Sequence, residues 1–551
     1  MLLFTYGRRN DRMIISDQTH KERIGMRRYF NTEGLCKPDE HYMVRLDDRL
    51  ERIKRLFIDR GKYFVINRGR QYGKTTLLRA LAEYLREDYL VFSMDFQMMS
   101  SASFENEKKF VKAFTRDFVK AGIDKGDESV LEELTALENG GFCDMDEMFV
   151  QLGRICRRSK LPVVMMVDEV DSASNNQVFL DFLGQLRDGY LNRHDRTVFW
   201  SVILAGVYDI KNLKQKIRPD GEHKYNSPWN IAADFNVEMK FSTQDIAGML
   251  EEYEQDHQTG MEIAEIAELI YEYTEGYPYM VSRICQLMDE ELAGAGMFPD
   301  TQSVWTKNGV QEAVKLFLSM NSVLFDDMVK KLTDFPKLKE MLKEILFRGR
   351  EYIYERDNPF IDLGIMFGFL KQQNHTVRVA NRIFEMKLYN LFLSEEETEN
   401  PGYDAGDFDK NQFMIGTHLN MELVMTKFAE HFTEIYGDYE EKFLEENGRR
   451  FFLLYLRPII NGTGNYYVEA QTRDRKRTDI IVDYLGEQFV IELKIWRGEE
   501  YQNRGKQQLF EYLEYYHQDK GYLLSFHFNR KKQTGVRRIA YQGKEIVEVV
   551  V

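Results

Sequence analysis

Cysteine and proline are scarce in this chain of 551 residues, which has four cysteines and ten prolines. The cysteines form no CxxC pair, which argues against a zinc knuckle and against a disulfide framework. Long apolar runs are missing too, since none approaches the roughly 20 residues of a membrane-spanning helix. The first residues lack the layout of a secretory signal. We therefore expect a cytoplasmic protein that has no contact with membranes.

Positive charge is also in deficit. The chain has 75 Lys and Arg against 90 Asp and Glu, a net charge of -15, whereas nucleic acids bind basic surfaces. The deficit is uneven, because residues 401–551 have 21 basic and 24 acidic side chains, a net charge of -3. This last part also has basic runs at 473–477 and 530–532. The acidic balance therefore does not exclude a basic groove there.

Four near-continuous apolar runs in the first half of the chain predict buried strands. They are YFVIN at 63–67, YLVFSMDF at 89–96, LPVVMMVDEVD at 161–171 and TVFWSVILAGV at 197–207. Helical patterns separate these runs. Strands that are apolar on both faces and alternate with helices form parallel sheets with helices on both sides. We therefore predict an α/β domain here.

The segment that follows the first predicted strand has the composition of a phosphate-binding loop. Gly73 allows the backbone to wrap a phosphate, Lys74 places a cation on its oxygens, and the Thr75 hydroxyl can complete a Mg²⁺ shell. Against the strict GxxxxGK[ST] pattern, Arg68 occupies the first glycine position. The predicted nucleotide-binding residues are Arg68, Gly69, Arg70, Gln71, Tyr72, Gly73, Lys74, Thr75 and Thr76.

The third apolar run ends in two acidic residues, which supply the second half of such a site. Asp168 would hold Mg²⁺ through a water, and Glu169 would polarise the attacking water. An acidic strand end without any role is the alternative. The occurrence of both halves in one chain argues against that alternative and predicts hydrolysis of a nucleoside triphosphate, with ATP as the expected cofactor.

The loop YFVINRGRQYGKTTLL, together with Phe30–Thr32, Cys36–Pro38 and His41–Met43, resembles AAA-type ATPases that have an RxRxxGK[ST] loop. These proteins are allied to the archaeal ATPase and signal-transducing NTPase clades. The resemblance covers residues 30–395 and implies a helical lid and a winged-helix-like unit. It also implies that Arg283 senses the γ-phosphate. Arg187 and Arg193 are weaker candidates for a finger that acts on a neighbouring subunit, so a homo-oligomer is possible.

A second group of residues lies near the C-terminus. Asp479 stands at the start of an apolar strand, and Glu492 and Lys494 interrupt a second strand thirteen residues later. Residues i and i+2 of a strand share a face, so Glu492 and Lys494 point the same way. Two carboxylates can hold Mg²⁺, and a lysine can orient the attacking water. A solvated ion pair is the alternative, which the apolar surroundings disfavour.

This D-x(n)-ExK order resembles the PD-(D/E)xK nuclease superfamily over about residues 420–530, with Thr478 in place of the proline. Gln508 and Tyr512 are similar to the QxxxY helix motif of RecB-type nucleases. The resemblance implies that Gln508 lies near the metal. It further implies an upstream helical glutamate, for which Glu446 is favoured over Glu445.

The predicted fold is α/β: a P-loop NTPase parallel sheet with a helical lid and a winged-helix-like unit, followed by a restriction-endonuclease-like α/β domain. The expected divisions are 1–60 (N-terminal segment), 61–241 (ATPase core), 242–344 (lid), 345–395 (winged-helix-like unit), 396–415 (linker) and 416–551 (nuclease-like domain). In the last division we expect a helical region, three strands, a helix and a final strand.

The predicted function is an ATP-regulated, Mg²⁺-dependent nuclease that acts on nucleic acid, with DNA favoured over RNA. An NTP-driven switch or scaffold, whose nuclease-like domain only binds nucleic acid or protein, is the main alternative. A P-loop kinase is a further one, which the long lid and the second domain disfavour.

Overall fold

The structure is a computed structural model. It describes residues 28–123, 128–142, 144–173, 176–207, 229–348, 350–399, 410–436, 445–460, 464–471, 477–496, 498–528 and 534–551. Within these ranges, none of the helices has the length and apolar character needed to cross a membrane.

The first sheet of the described chain is parallel and has the strand order β1-β4-β3-β2. Its strands are β1 (Tyr63–Asn67), β2 (Leu90–Asp95), β3 (Val163–Asp168) and β4 (Ser201–Gly206). A further segment continues the sheet beyond β1, because the Ala233 amide donates to the Tyr63 carbonyl at 2.8 Å. Residues of β3 and β4 are buried on both faces, as the apolar runs predict.

Helices cover both faces of this sheet. They are α1 (Asp47–Ile53, continued by a π-helical turn at Lys54–Ile58), α2 (Lys74–Leu85), α3 (Glu107–Gly122), α4 (Glu128–Asn139), α5 (Met145–Arg158) and α6 (Gln177–Leu191). Aromatic packing joins α3 to β2, with the rings of Phe92 and Phe118 stacked 4.1 Å apart. Gly122 ends α3 against the same ring, since a Cβ there would lie 2.1 Å from Phe92.

The next part of the chain is helical, and a small antiparallel sheet of order β5-β7-β6 follows. Its helices are α7 (Thr243–His257), α8 (Ile263–Thr274), α9 (Pro278–Gln286, continued by a π-helical turn at Leu287–Leu292), α10 (Thr301–Val304), α11 (Lys307–Ser319), α12 (Val323–Asp334) and α13 (Pro336–Arg348). The last elements are β5 (Tyr352–Ile353), α14 (Pro359–Met366), β6 (Leu370–Gln373), β7 (Thr376–Val379) and α15 (Arg382–Glu399). From α13 to α15 the chain forms a helix, a short strand, a helix, a two-stranded hairpin and a helix, and the winged-helix-like unit stays a prediction.

The C-terminal part builds a second, mixed sheet of order β10-β11-β12-β13-β15-β14 among the described residues. It begins with β8 (Met414–Ile415), β9 (His418–Leu419), α16 (Met421–Tyr436) and α17 (Glu445–Ile460). The sheet and its covering helix are β10 (Gly464–Gln471), β11 (Arg477–Tyr484), β12 (Glu487–Ile495), α18 (Glu499–Tyr515), β13 (Lys520–Phe526), β14 (Gly535–Tyr541) and β15 (Lys544–Val550). Helix α18 is the crossover that a parallel β12–β13 pair requires.

Two expectations from the sequence need correction here. The chain forms three strands after α18 instead of one, since β14 and β15 pair as an antiparallel hairpin at the sheet edge. The expected linker is also shorter, because α15 extends to Glu399 and the chain pairs again from Met414. Strand β14 is largely exposed, so it lacks the buried apolar run that would have predicted it.

Candidate functional site

The phosphate loop leaves β1 at Asn67 and enters α2 at Lys74. Gly73 precedes the helix with φ +75°, a left-handed conformation that glycine adopts without strain. Lys74 is buried, and its Nζ donates to the carbonyls of Arg68 and Gly69, both at 3.0 Å. Burial lowers the pKa of Lys74, although Glu169 opposes this effect. The lysine thus lies folded across its own loop.

The acidic half of the site lies where the sequence predicts it. The Thr75 hydroxyl donates to Asp168 Oδ2 at 2.6 Å, across the space between α2 and the end of β3. Glu169 has φ +51°, a conformation uncommon for a residue with a side chain. Burial raises the pKa of Glu169, while Lys74 acts in the other direction. A hydroxyl and a carboxylate in contact are the oxygen ligands that Mg²⁺ prefers.

A cavity of about 270 Å³ opens at this loop, between the N-terminal segment, the sheet and the lid. Its lining combines polar groups, among them the loop, Glu169 and Arg49, with apolar side chains. The apolar side chains include Met43, Val44, Leu46, Met239, Phe241 and Pro278. Polar groups for phosphates beside apolar side chains for a flat ring suit a nucleoside triphosphate. The sequence does not assign the apolar lining, because the residues come from three separate segments.

The start of α9, helix α12 and the segment that follows α14 contact the phosphate loop directly. The Tyr277 hydroxyl, at the start of α9, donates to the Arg70 carbonyl at 2.5 Å. A Cβ at Gly69 would lie 2.8 Å from the Phe367 carbonyl oxygen, so the two backbones touch. Arg70 Nε lies 3.4 Å from a carboxylate oxygen of Asp327 in α12. Gly69, which lies one position after the usual glycine of the motif, therefore leaves room for the backbone of Phe367.

The three predicted arginines contact protein groups outside the phosphate loop. Arg283 donates to Gln286 at 2.6 Å and lies against Met320 within the lid, while Ser282 lines the cavity. Arg187 donates to Asn230 at 3.0 Å, and Arg193 to the Gly61 carbonyl at 2.9 Å. The sensor role of Arg283 therefore stays a prediction, while the neighbouring Ser282 lines the cavity.

The C-terminal pair Glu492 and Lys494 lies on β12, in the interior of the second sheet. Their side chains are 2% and 10% exposed, and Lys494 Nζ lies 2.8 Å from Glu492 Oε1. Such burial excludes a solvated surface pair. Asp479 is on the adjacent strand β11, next to Ile480, which pairs with Ile491. The strand pairing therefore places the backbone of Asp479 beside that of Glu492. The side chains of Asp479 and of Glu446 in α17 lie outside the described residues.

Helix α18 covers this pair, and it differs from the motif in one respect. Tyr512 is buried against the sheet as expected, but Gln508 is exposed. The glutamine of α18 that is buried is Gln502, which the sequence motif does not assign. The helical repeat explains this, because Gln502, Gly505, Leu509 and Tyr512 lie on one stripe and Gln508 lies beside it.

Among the described side chains, no three Asp, Glu, His or Cys residues lie close enough to hold a metal together. Mg²⁺ commonly takes one or two carboxylates and keeps several waters. Glu492 and the adjacent strand position of Asp479 are compatible with such a site.

A buried carboxylate joins the lid to the second sheet. Asp483 of β11 accepts from Tyr273 of α8 at 3.3 Å and from Gln311 of α11 at 3.1 Å. Its other oxygen accepts from Gln488 of β12 at 2.9 Å. Burial raises the pKa of Asp483 to about 6, which the hydrogen bonds from Gln488 and Tyr273 and the nearby Arg382 partly oppose.

Comparison with known proteins adds the following. The AAA-like domain family matches residues 33–386, whereas no curated protein matches the chain. A Walker-type ATPase of Pyrococcus abyssi is similar at 12% identity and a TM-score of 0.46, over 65% of this chain and 99% of that protein. The Aeropyrum pernix ORC2 protein, in ADPNP–ADP complexes, is similar at 11% identity and a TM-score of 0.35, over 67% and 98%. The ORC1 protein of the same organism, in complex with DNA, has 12% identity and a TM-score of 0.28, over 64% and 94%.

Since the family match spans well over half of its length, this protein belongs to the AAA-like domain family and is an AAA-type P-loop ATPase.

Proposed function

We propose that the protein is an ATP-regulated, Mg²⁺-dependent nuclease. The observation that carries the proposal is the buried pair of Glu492 and Lys494, whose charged atoms lie 2.8 Å apart inside a mixed sheet. Burying an ion pair costs several kcal/mol for each ion and is weak support for stability. A chemical role explains the pair better than a structural one.

At the phosphate loop, the chain's own residues suit ATP hydrolysis. Lys74 gives up two carbonyl contacts when a phosphate offers it a stronger, charged acceptor. Thr75 and Asp168 would hold Mg²⁺, which neutralises charge on the phosphate oxygens. Glu169, with its raised pKa, accepts a hydrogen bond from the attacking water and orients it.

At the C-terminal site, Asp479 and Glu492 would hold Mg²⁺, which makes a bound water a better nucleophile. Lys494 orients that water or offsets the charge that develops on the phosphate. The apolar residues around β12 keep the site dry and strengthen these interactions. This set of residues suits phosphodiester hydrolysis of DNA, or of RNA as the second choice.

A continuous set of contacts supports regulation of this site by ATP. Tyr277 touches the phosphate loop at Arg70, and it lies three residues beyond the end of α8. Tyr273, in the last turn of α8, touches Asp483 on the strand that also carries Asp479. A change of the loop on binding nucleotide can thus move α8 and, through it, β11.

The test is cleavage of plasmid and oligonucleotide substrates with Mg²⁺, with and without ATP. We expect Lys494→Met and Asp479→Asn to lower the rate by about 10²-fold or more, and Lys74→Ala to remove the effect of ATP. Lys427→Met is the matched control, because Lys427 forms an exposed ion pair with Glu430. Activity that survives Lys494→Met or Asp479→Asn would refute the assignment.

The second candidate function is an NTP-driven switch or scaffold whose C-terminal domain binds nucleic acid or protein without cleaving it. The net charge of -15 favours this candidate, because it weakens attraction to phosphates. Calorimetric titration of Mg²⁺ into the Lys74→Ala chain, with and without Glu492→Gln, separates the two. Metal binding that requires Glu492 supports the nuclease, and its absence supports the scaffold.

A further inference from the structure

A buried glutamine in α18 forms hydrogen bonds with residues of two strands of the second sheet. Gln502 is 7% exposed, and its Nε2 donates to Ser525 Oγ at 2.7 Å and to Glu548 Oε1. Ser525 Oγ donates to the same Glu548 oxygen at 3.1 Å. The amide nitrogen of Gln502 thus lies toward Glu548, and its oxygen points away from that carboxylate. These three residues are called the Gln502 network below.

The register of the sheet places this network beside the candidate nuclease residues. Ser525 of β13 pairs with Lys494 of β12. Leu523 pairs with Glu492 on one side and with Glu548 on the other, so the two glutamates lie in one row, two strands apart. Paired residues of adjacent strands project to the same face. The two groups therefore share the face of the sheet that α18 covers.

The backbone of α18 links the network to the lysine. Gly505 follows Gln502 by about one helical turn, and a Cβ there would lie 3.0 Å from Lys494 Cγ. The helix thus rests directly on the aliphatic part of the lysine side chain. The hydrogen bonds of Gln502 hold α18 at a fixed distance from the sheet. Because α18 contacts the Lys494 side chain, this distance limits the positions of the Lys494 ammonium, which lies 2.8 Å from Glu492.

We propose that Gln502, held by Ser525 and Glu548, is a positioning residue for Lys494 and takes the role that the sequence motif gives to Gln508. The exposed position of Gln508 removes it from the covered face. Gln502 also keeps a buried Oε1 without a hydrogen-bond partner in the described structure, which leaves an acceptor for a water or a substrate group. This inference rests on the proposed nuclease function.

The test compares Gln502→Met with Gln508→Met, two equal changes in one helix. The first readout is acylation of Lys494 by acetic anhydride, measured by peptide mass spectrometry on the full chain. It needs no cleavage activity. We expect Gln502→Met to raise Lys494 labelling several-fold, and Gln508→Met to leave it unchanged.

The second readout is the Mg²⁺-dependent cleavage rate as a function of pH. Loss of a residue that orients a functional group commonly costs 10- to 100-fold, so we expect about that loss in kcat for Gln502→Met. We also expect its pH profile to shift, with KM unchanged. Equal ATPase rates in all variants show that the chain remains folded. If Gln502→Met does not fold, Ser525→Ala provides the same comparison with a smaller change.

Unchanged labelling in Gln502→Met, or an equal or larger effect of Gln508→Met, overturns the positioning role. A wild-type protein that cleaves no substrate refutes the nuclease function, and the labelling result still decides whether Gln502 positions Lys494.

Discussion

Replacing Asp483 by asparagine should stabilise the protein at neutral pH. Asp483 is 5% exposed, and burial raises its pKa from the usual 3.8 to about 6. A shift of about two units corresponds to roughly 3 kcal/mol between the protonated and ionised forms. The folded protein thus has up to about 3 kcal/mol less stability when this carboxyl is ionised.

The sign of the pH dependence follows from the two pKa values. Below about pH 4 the carboxyl is protonated in the folded and in the unfolded chain, and no penalty exists. As the pH rises, the unfolded chain releases its proton first, so the free energy of unfolding falls until the pH passes about 6. Asparagine is neutral at every pH and avoids this loss.

The asparagine side chain fits the existing contacts. Its oxygen can accept from Tyr273 and Gln311, as Asp483 Oδ2 does. Its amide nitrogen can donate to Gln488 Oε1, which is buried and has no partner, once the Gln488 amide turns over. The pKa of about 6 already includes the attraction of the ionised carboxylate to two cations, Arg382 and Lys307. Arg382 keeps Glu272 as a neighbour at 3.6 Å.

The assay is thermal unfolding of the wild-type and Asp483→Asn chains between pH 4.5 and 8. We expect the variant to unfold at a higher temperature above pH 7, and the difference to shrink toward pH 4.5. Asp357→Asn, in an exposed turn, is the control and should show no such pattern. A variant that is less stable at pH 7.5, or a difference independent of pH, would refute the reasoning.

Three further predictions concern the ATPase module. Glu169→Gln should keep ATP affinity and lower the hydrolysis rate by about 10²-fold or more; filter binding and phosphate release measure the two, and unchanged turnover contradicts the role given to Glu169. Gly69→Ala should destabilise the contact with Phe367 by about 1–3 kcal/mol, visible as faster proteolysis between the two units; resistance equal to the wild type would show that the backbones can separate at no cost. Gly248 lies inside α7, and a Cβ added there would meet open space. Gly248→Ala should therefore stabilise the chain by about 0.4–1 kcal/mol, and a lowered Tm would contradict this reasoning.

Local sequence patterns were sufficient for the elements that depend on neighbouring residues. The order of strand, glycine-containing loop and helix around Gly73 and Lys74 is present in the structure as predicted, since each step needs only short-range geometry. The same holds for Asp168 at the end of β3 and for Glu492 and Lys494 on one strand. Membership in the AAA-like domain family agrees with the RxRxxGK[ST] resemblance.

Patterns of this kind do not predict features that depend on packing between distant segments. Gln508 and Arg283 match motifs, but a helix rotation of tens of degrees decides whether a side chain meets the sheet or the solvent. The same rotation buries Gln502 and turns Ser282 toward the cavity. No short-range signal distinguishes these alternatives.

The sequence by itself determined the phosphate loop, its acidic partner and the ExK strand, because a turn, a strand end and an alternating pair are set by residues close in the chain. Tertiary structure alone decided what surrounds them. It joined Gly69 to Phe367, Tyr277 to the phosphate loop, and Asp483 to the lid, contacts that span from about 200 to 300 residues of sequence. The physical reason is that burial and hydrogen-bond satisfaction act between surfaces that only the folded chain brings together.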